Sequence, residues 1–150
     1  MGDAISEGLE IGQMRASINL FAARCASTAE EKGFHQAFED ADWLEQLASA
    51  SDVDTIITTR LREIAKRIRL LEVGTKLMLV CSELGEAFES VRDTGFDGHI
   101  DGDGNFGEEL ADAMIRLGDL SHMTEVQVGD EITDKMGVNK NRPHLHGRKA

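Results

Sequence analysis

The stretch VGTKLMLVCSELGEAFESV, residues 73–91, decides the fold. Its apolar residues Val73, Leu77, Val80, Cys81, Leu84, Phe88 and Val91 recur at three- and four-residue intervals, which is one stripe along a helix. Glu83 and Glu86 are three apart and stand about 60° from each other, to one side of that stripe. Lys76 lies two turns before Glu83 on the same side. Thr94 and Gly95 end the pattern. Upstream, Gly74 either separates it from a second periodic stretch or bends one longer helix. That stretch starts at Val53 and sets Ile57, Leu61, Ile64, Ile68 and Leu71 inward. Its polar side is basic, with Arg60, Arg62, Lys66, Arg67 and Arg69. Such a run is ordinarily a solvated face; the alternative is a contact with an acidic neighbour or a phosphate.

Downstream, residues 95–104 (GFDGHIDGDG) hold four glycines and three aspartates and read as a loop. A helix restarts near Asn105, with Phe106, Leu110, Met114, Leu117 and Leu120 inward; Asn105 and Glu108 resemble a capping box. A last helix over 127–139 should bury Val128, Ile132 and Met136, and Pro143 closes the helical part before a polar tail, 144–150. At the other end, Ile11, Met14, Ile18, Phe21 and Cys25 form a stripe that Gly33 terminates. A second stretch, 34–48, carries Phe38, Trp43, Leu44 and Leu47, and SASDVD, residues 49–54, reads as a break followed by an N-cap. Strand-like alternation is scarce. The expected fold is all-α, a bundle of four or five main helices in one domain spanning residues 1–150.

The chain has 28 acidic and 16 basic residues, a net charge of −12. That argues against broad binding of nucleic acid or an anionic membrane, both of which need a basic surface. It leaves room for a small polyanion held through a metal. Cys25 and Cys81 match no zinc spacing, exclude a disulfide scaffold and suit a reducing cytosol, so a cytoplasmic location is expected. The first residues lack the basic and apolar regions of a secretory signal, and no apolar run approaches the roughly 18 residues of a membrane span.

The carboxylates carry the chemistry. Glu109 and Asp112 are again three apart, on a polar line that continues through Arg116 and Asp119. Two helices joined by a loop pack antiparallel, so the pairs Glu83/Glu86 and Glu109/Asp112 can converge. Converging carboxylates in a half-buried groove need compensation. A hard divalent cation with oxygen ligands supplies it, and Mg²⁺ is the natural candidate. Glutamates at this spacing also occur on many exposed helix faces that bind nothing.

The sequence S-E-L-G-E (82–86) followed by E-E-L-A-D (108–112) resembles the MazG-like group of all-α nucleoside triphosphate pyrophosphohydrolases, whose mark is E-x-x-E, a linker and E-x-x-D. AMIRLGDL (113–120) and the ending Lys135, Asn139, Arg142-Pro143 and His146-Gly147 are similar to the same group. The resemblance covers roughly 71–149. It implies Glu83, Glu86, Glu109 and Asp112 as Mg²⁺ ligands, with Mn²⁺ able to substitute, and Glu86 as the residue positioning the attacking water. It implies hydrolysis of a ribo- or deoxyribonucleoside triphosphate between the α and β phosphates. Lys135, Asn139 and Arg142 then serve the phosphates, together with Lys76, and homo-oligomerisation, as dimer or tetramer, is expected. The cations near the C-terminus also have a plain reading, as charges favoured by the helix dipole.

Two departures stand out. Ser82 precedes Glu83 where many members have a further glutamate, and residues 34–66 have no counterpart in the family core, reading as an insertion over the base or an oligomer contact. Asp119 either supports the carboxylates from behind or pairs with Arg116. Asn19, Phe21, Phe34, His35 and Trp43 are available for base recognition, although aromatic residues are more often core.

Two other readings compete. Asp101, Asp103, Asn105 and Asp112 match positions of a calcium-binding helix–loop–helix, but Phe106 stands where glycine is required and Glu108 where an apolar residue is. A helical adaptor would use the apolar stripes for assembly. His99, His122, His144 and His146 show no zinc-ligand rhythm.

Overall fold

A computed structural model describes residues 2–50, 54–95 and 105–143, with 2–7 and 94 by backbone alone. The glycine-rich stretch 96–104, with His99, and the tail with His144 and His146 lie outside the described residues. Among the described residues there are five helices: α1 (Gly2–Glu31), α2 (Gln36–Ala48), α3 (Thr55–Thr94), α4 (Phe106–Met123) and α5 (Val128–Lys140). No strand occurs among the described residues, and none of their helices is long and apolar enough to cross a membrane.

The ends of the helices follow local chemistry. At the end of α1, Gly33 takes φ +79°, with its N–H donating to Glu30 O and that of Phe34 to Ala29 O. This is a Schellman termination, which favours a residue without a Cβ at that point. The Asp54 side chain accepts from Ile56 N at 2.8 Å and starts α3. Asn105 and Glu108 form the capping box at the start of α4. After α4 the chain reverses with Glu125 at φ 58°, the same termination performed by a residue that carries a side chain.

Gly74 neither separates nor ends a helix: α3 runs unbroken for 40 residues. By its rise per residue it is about 60 Å long. It packs on α2 along its first half and on α4 along its second, while α1 packs on α4 and α5.

The buried flanks differ from those expected. Facing α4, α3 buries Lys76, Val80, Glu83, Ala87 and Ser90, while Leu77, Cys81, Leu84 and Phe88 are exposed. On α4 the buried residues are Glu109, Ala113, Gly118, Asp119, Leu120 and Ser121, with Leu110, Met114 and Leu117 outside. Small side chains explain the choice. A Cβ on Gly118 would come within 3.1–3.3 Å of Cys25 and Phe21, so glycine sets how closely α1 approaches α4. The core is correspondingly rich in alanine: Ala22, Ala26, Ala41, Ala48, Ala65, Ala87 and Ala113. On α2, Phe38 is buried, together with Ala41 and Ala48, while Trp43 and Leu47 are exposed.

On α5 the buried residues are Gly129 and Thr133, and Ile132 and Met136 are exposed. The polar side turns inward because α1 meets it with polar groups. Asn19 Oδ1 accepts from Gly129 N at 2.7 Å, and Arg15 bonds Thr133, Asp130 and Asp134.

Candidate functional site

α3 and α4 bring three carboxylates together. Oxygen atoms of Glu83, Glu86 and Glu109 all lie within 4.8 Å of one another. Glu83 and Glu109 are buried at the α3–α4 contact, and Glu86 is exposed one turn along α3. Packing explains this. Val80, Ala87 and Ala113 close the two helices together, and the glutamates between them are carried into the seam.

Each carboxylate has a distinct environment. Glu83 is held by Arg116, whose Nε and Nη2 approach its Oε1 at 2.7 and 2.6 Å. Glu86 accepts from Ser82 Oγ at 3.1 Å. Glu109 has no cation of its own among the bonds described. Burial holds its carboxyl above the usual range, helped by a hydrogen bond with Glu83 and by the charges of Glu86, Glu83 and Asp112. Oxygen donors crowded in this way could hold a hard divalent cation. Asp112, expected as the fourth ligand, is exposed and lies outside this group of three. It lines the neighbouring cleft instead.

That cleft, of about 300 Å³, opens between α1, α3 and α4. Its walls include Cys25, Phe34, Leu79 and Ile115, and Asp112 and Arg116 join it to the carboxylates. Deeper in, Asp119 accepts from Lys76 Nζ at 2.7 Å through one oxygen and bonds His35 Nε2 at 2.7 Å through the other. Lys76 and Asp119 are each only 7% exposed. Lys76 Nζ also donates to Phe34 O at 3.4 Å. The expected pairing of Asp119 with Arg116 is therefore replaced. Asp119 serves Lys76 and His35, and Arg116 serves Glu83.

Lys135 and Asn139 are exposed on α5, whose described packing is mainly on α1. Arg142 does not share their helix face: α5 ends at Lys140, and Arg142 follows it in a turn. Among the candidates for base recognition, Phe34 lines the cleft, His35 bonds Asp119, Phe21 lies against Gly118, Asn19 caps α5 and Trp43 is exposed on α2. On the basic stretch, Arg69 bonds Asp42 and Glu45 of α2, the acidic-neighbour alternative. The calcium-loop reading meets a helix that begins at Phe106 and an Asn105 side chain that accepts from Gly107 N and Glu108 N.

The network of Lys76, His35 and Asp119 is the part that spacing along the chain missed. Its members are 43 and 84 residues apart in sequence, and nothing local joins them. Comparison of the chain with protein-family models, with curated proteins and with solved structures returns no match.

Proposed function

We propose that this protein is a Mg²⁺-dependent nucleoside triphosphate pyrophosphohydrolase of the MazG-like kind, releasing nucleoside monophosphate and pyrophosphate. The observation that carries the proposal is the convergence of Glu83, Glu86 and Glu109 beside a cleft large enough to take part of a nucleotide. The motif order supports it: E-x-x-E on α3, E-x-x-D on α4, and the packing that joins them.

In this reading Glu83, Glu86 and Glu109 hold the cation, with Asp112 close to the same charge field. The cation, Mg²⁺ or Mn²⁺ in its place, supplies charge neutralisation for the triphosphate. Glu86 is the accessible member of the three and orients the attacking water. Arg116 stands between carboxylates and cleft, where a guanidinium suits phosphate oxygens. Lys76 acts through Asp119 on the shape of the cleft. Lys135, Asn139 and Arg142 serve the departing pyrophosphate, an assignment that rests on the resemblance alone. A homo-oligomer acting in the cytoplasm completes the reading.

The test is product analysis. Pure protein is incubated with a panel of common and modified nucleoside triphosphates, with Mg²⁺ and then with EDTA. Monophosphate and pyrophosphate, abolished by EDTA, are expected, and the fastest substrate identifies the base. No turnover across the panel by folded protein would overturn the proposal.

A further inference from the structure

Arg116 holds Glu83 with its own chemistry half used. Nε and Nη2 form the edge of a guanidinium that fits two oxygens of one oxyanion. Here both converge on the single oxygen Oε1. The two partners also differ in freedom. The Glu83 side chain is 8% exposed and that of Arg116 40%. Burial fixes the acid in the α3–α4 seam, whereas the arginine reaches it from the open side and lines the cleft.

The charge of the cleft depends on where that guanidinium is engaged. Lys76 and Asp119 on its walls are bonded to each other. Lys32 and Arg116 then stand against Glu72 and Asp112. With Arg116 bonded to Glu83, the rest of the wall carries one cation and two acids, a balance that disfavours an oxyanion. With Arg116 released, the signs are equal and a fork suited to phosphate stands where the cleft meets the carboxylates. The cluster also contains the means of release. Arg116 is the only cation bonded to Glu83, Glu86 or Glu109 among the described residues. A second positive charge seated on Glu83 repels the guanidinium at close range.

We infer that Arg116 is a phosphate-binding residue of the cleft and that Glu83 controls it. Bonded to Glu83, the arginine is withheld from the ligand; a cation on Glu83 frees it to take phosphoryl oxygens. Cation and oxyanion then reinforce each other's binding through the arginine, beyond any direct contact between them. The inference deepens the hydrolase reading and rests on it for the identity of the cation and of the anion. The exchange of the arginine can be tested without cation or turnover, so the two fail separately.

The probe is pyrophosphate, titrated calorimetrically into the full chain in chelator-treated buffer. Glu83→Gln frees the guanidinium and should tighten binding about tenfold, the order of one charged hydrogen bond. Glu86→Gln removes an equal charge from the same cluster without freeing the arginine, and should tighten it far less. The double variant Glu83→Gln, Arg116→Met leaves neither member of the ion pair charged and should lose the gain. A measurement on the wild-type protein covers a variant that folds poorly. The Nε–H resonance of Arg116, identified by its loss in Arg116→Met, should move as pyrophosphate is added. Equal gains from Glu83→Gln and Glu86→Gln, a gain that survives Arg116→Met, or an unmoved resonance at saturating pyrophosphate would overturn the inference.

Discussion

Arg116 grips one oxygen of Glu83 with two of its nitrogens, at 2.7 and 2.6 Å, in the middle of the carboxylate cluster. The guanidinium occupies the acid that a cation would need. It neutralises charge that would otherwise stand buried at the α3–α4 contact.

Arg116→Met removes that counter-charge. In EDTA the variant should lose about 2 kcal/mol of stability, the order of a charged hydrogen bond at a partly exposed group. Mg²⁺ should restore more of the melting temperature to the variant than it adds to the wild-type protein, because it binds the folded state without displacing the arginine. Equal shifts in the two proteins would show that arginine and cation do not compete.

Glu109 titrates above the ordinary carboxylate range, chiefly through burial. The folded protein therefore keeps a proton there over a window in which the unfolded chain has lost it. Folding stability falls as pH rises through that window. Glu109→Gln should raise the urea midpoint at neutral pH, and its advantage should vanish at a pH below the ordinary carboxylate range. Mg²⁺ affinity of the wild-type protein, read by calorimetry, should increase with pH across the same window.

Asp119 is the only anion that Lys76 and His35 bond among the described residues. Asp119→Ala strands a buried ammonium and should cost about 3–5 kcal/mol in urea unfolding. The triple variant His35→Phe, Lys76→Met, Asp119→Leu should recover most of that loss, because an apolar replacement leaves no charge unpaired. Failure to recover would assign the loss to packing.

A Cβ on Gly129 would lie 2.5 Å from Arg15 O and 2.8 Å from Asn19 Oδ1. Gly129→Ala must push α5 off α1, and a loss of about 1–3 kcal/mol is expected from overpacking. Hydrogen exchange should report the loss as faster exchange in α5, with α3 and α4 unchanged.

Glu125 holds φ 58° without being glycine. Glu125→Gly should gain about 0.5 kcal/mol, the left-handed penalty less the added freedom of the unfolded chain. Thermal unfolding measures it.

Helix ends and carboxylate spacing could be read from the chain because they are local. Gly33, Asp54 and the Asn105–Glu108 pair act on neighbours within five residues. The buried flanks could not be read in the same way. A search for large apolar residues finds Leu77, Leu84 and Phe88, yet helices approach through small ones, and Ala87, Ala113 and Gly118 leave no stripe. The partners of Asp119 were equally hidden, because α3, α4 and the turn before α2 must pack before those bonds exist. Gly74 looked like punctuation, but a glycine with continuous periodicity on both sides costs a helix only about 1 kcal/mol and does not end it.

Trp43 is the only tryptophan in a chain without tyrosine, and it stands exposed on α2. The intrinsic fluorescence of the protein therefore has a single vantage point. It lies on the helix joined to α3 through Arg69 and preceded by His35, and it is neither a cleft-lining residue nor one of the three grouped carboxylates. An emission change on adding metal or nucleotide would thus be a relayed signal, reaching α2 through its joints to the rest of the fold at His35 and Arg69.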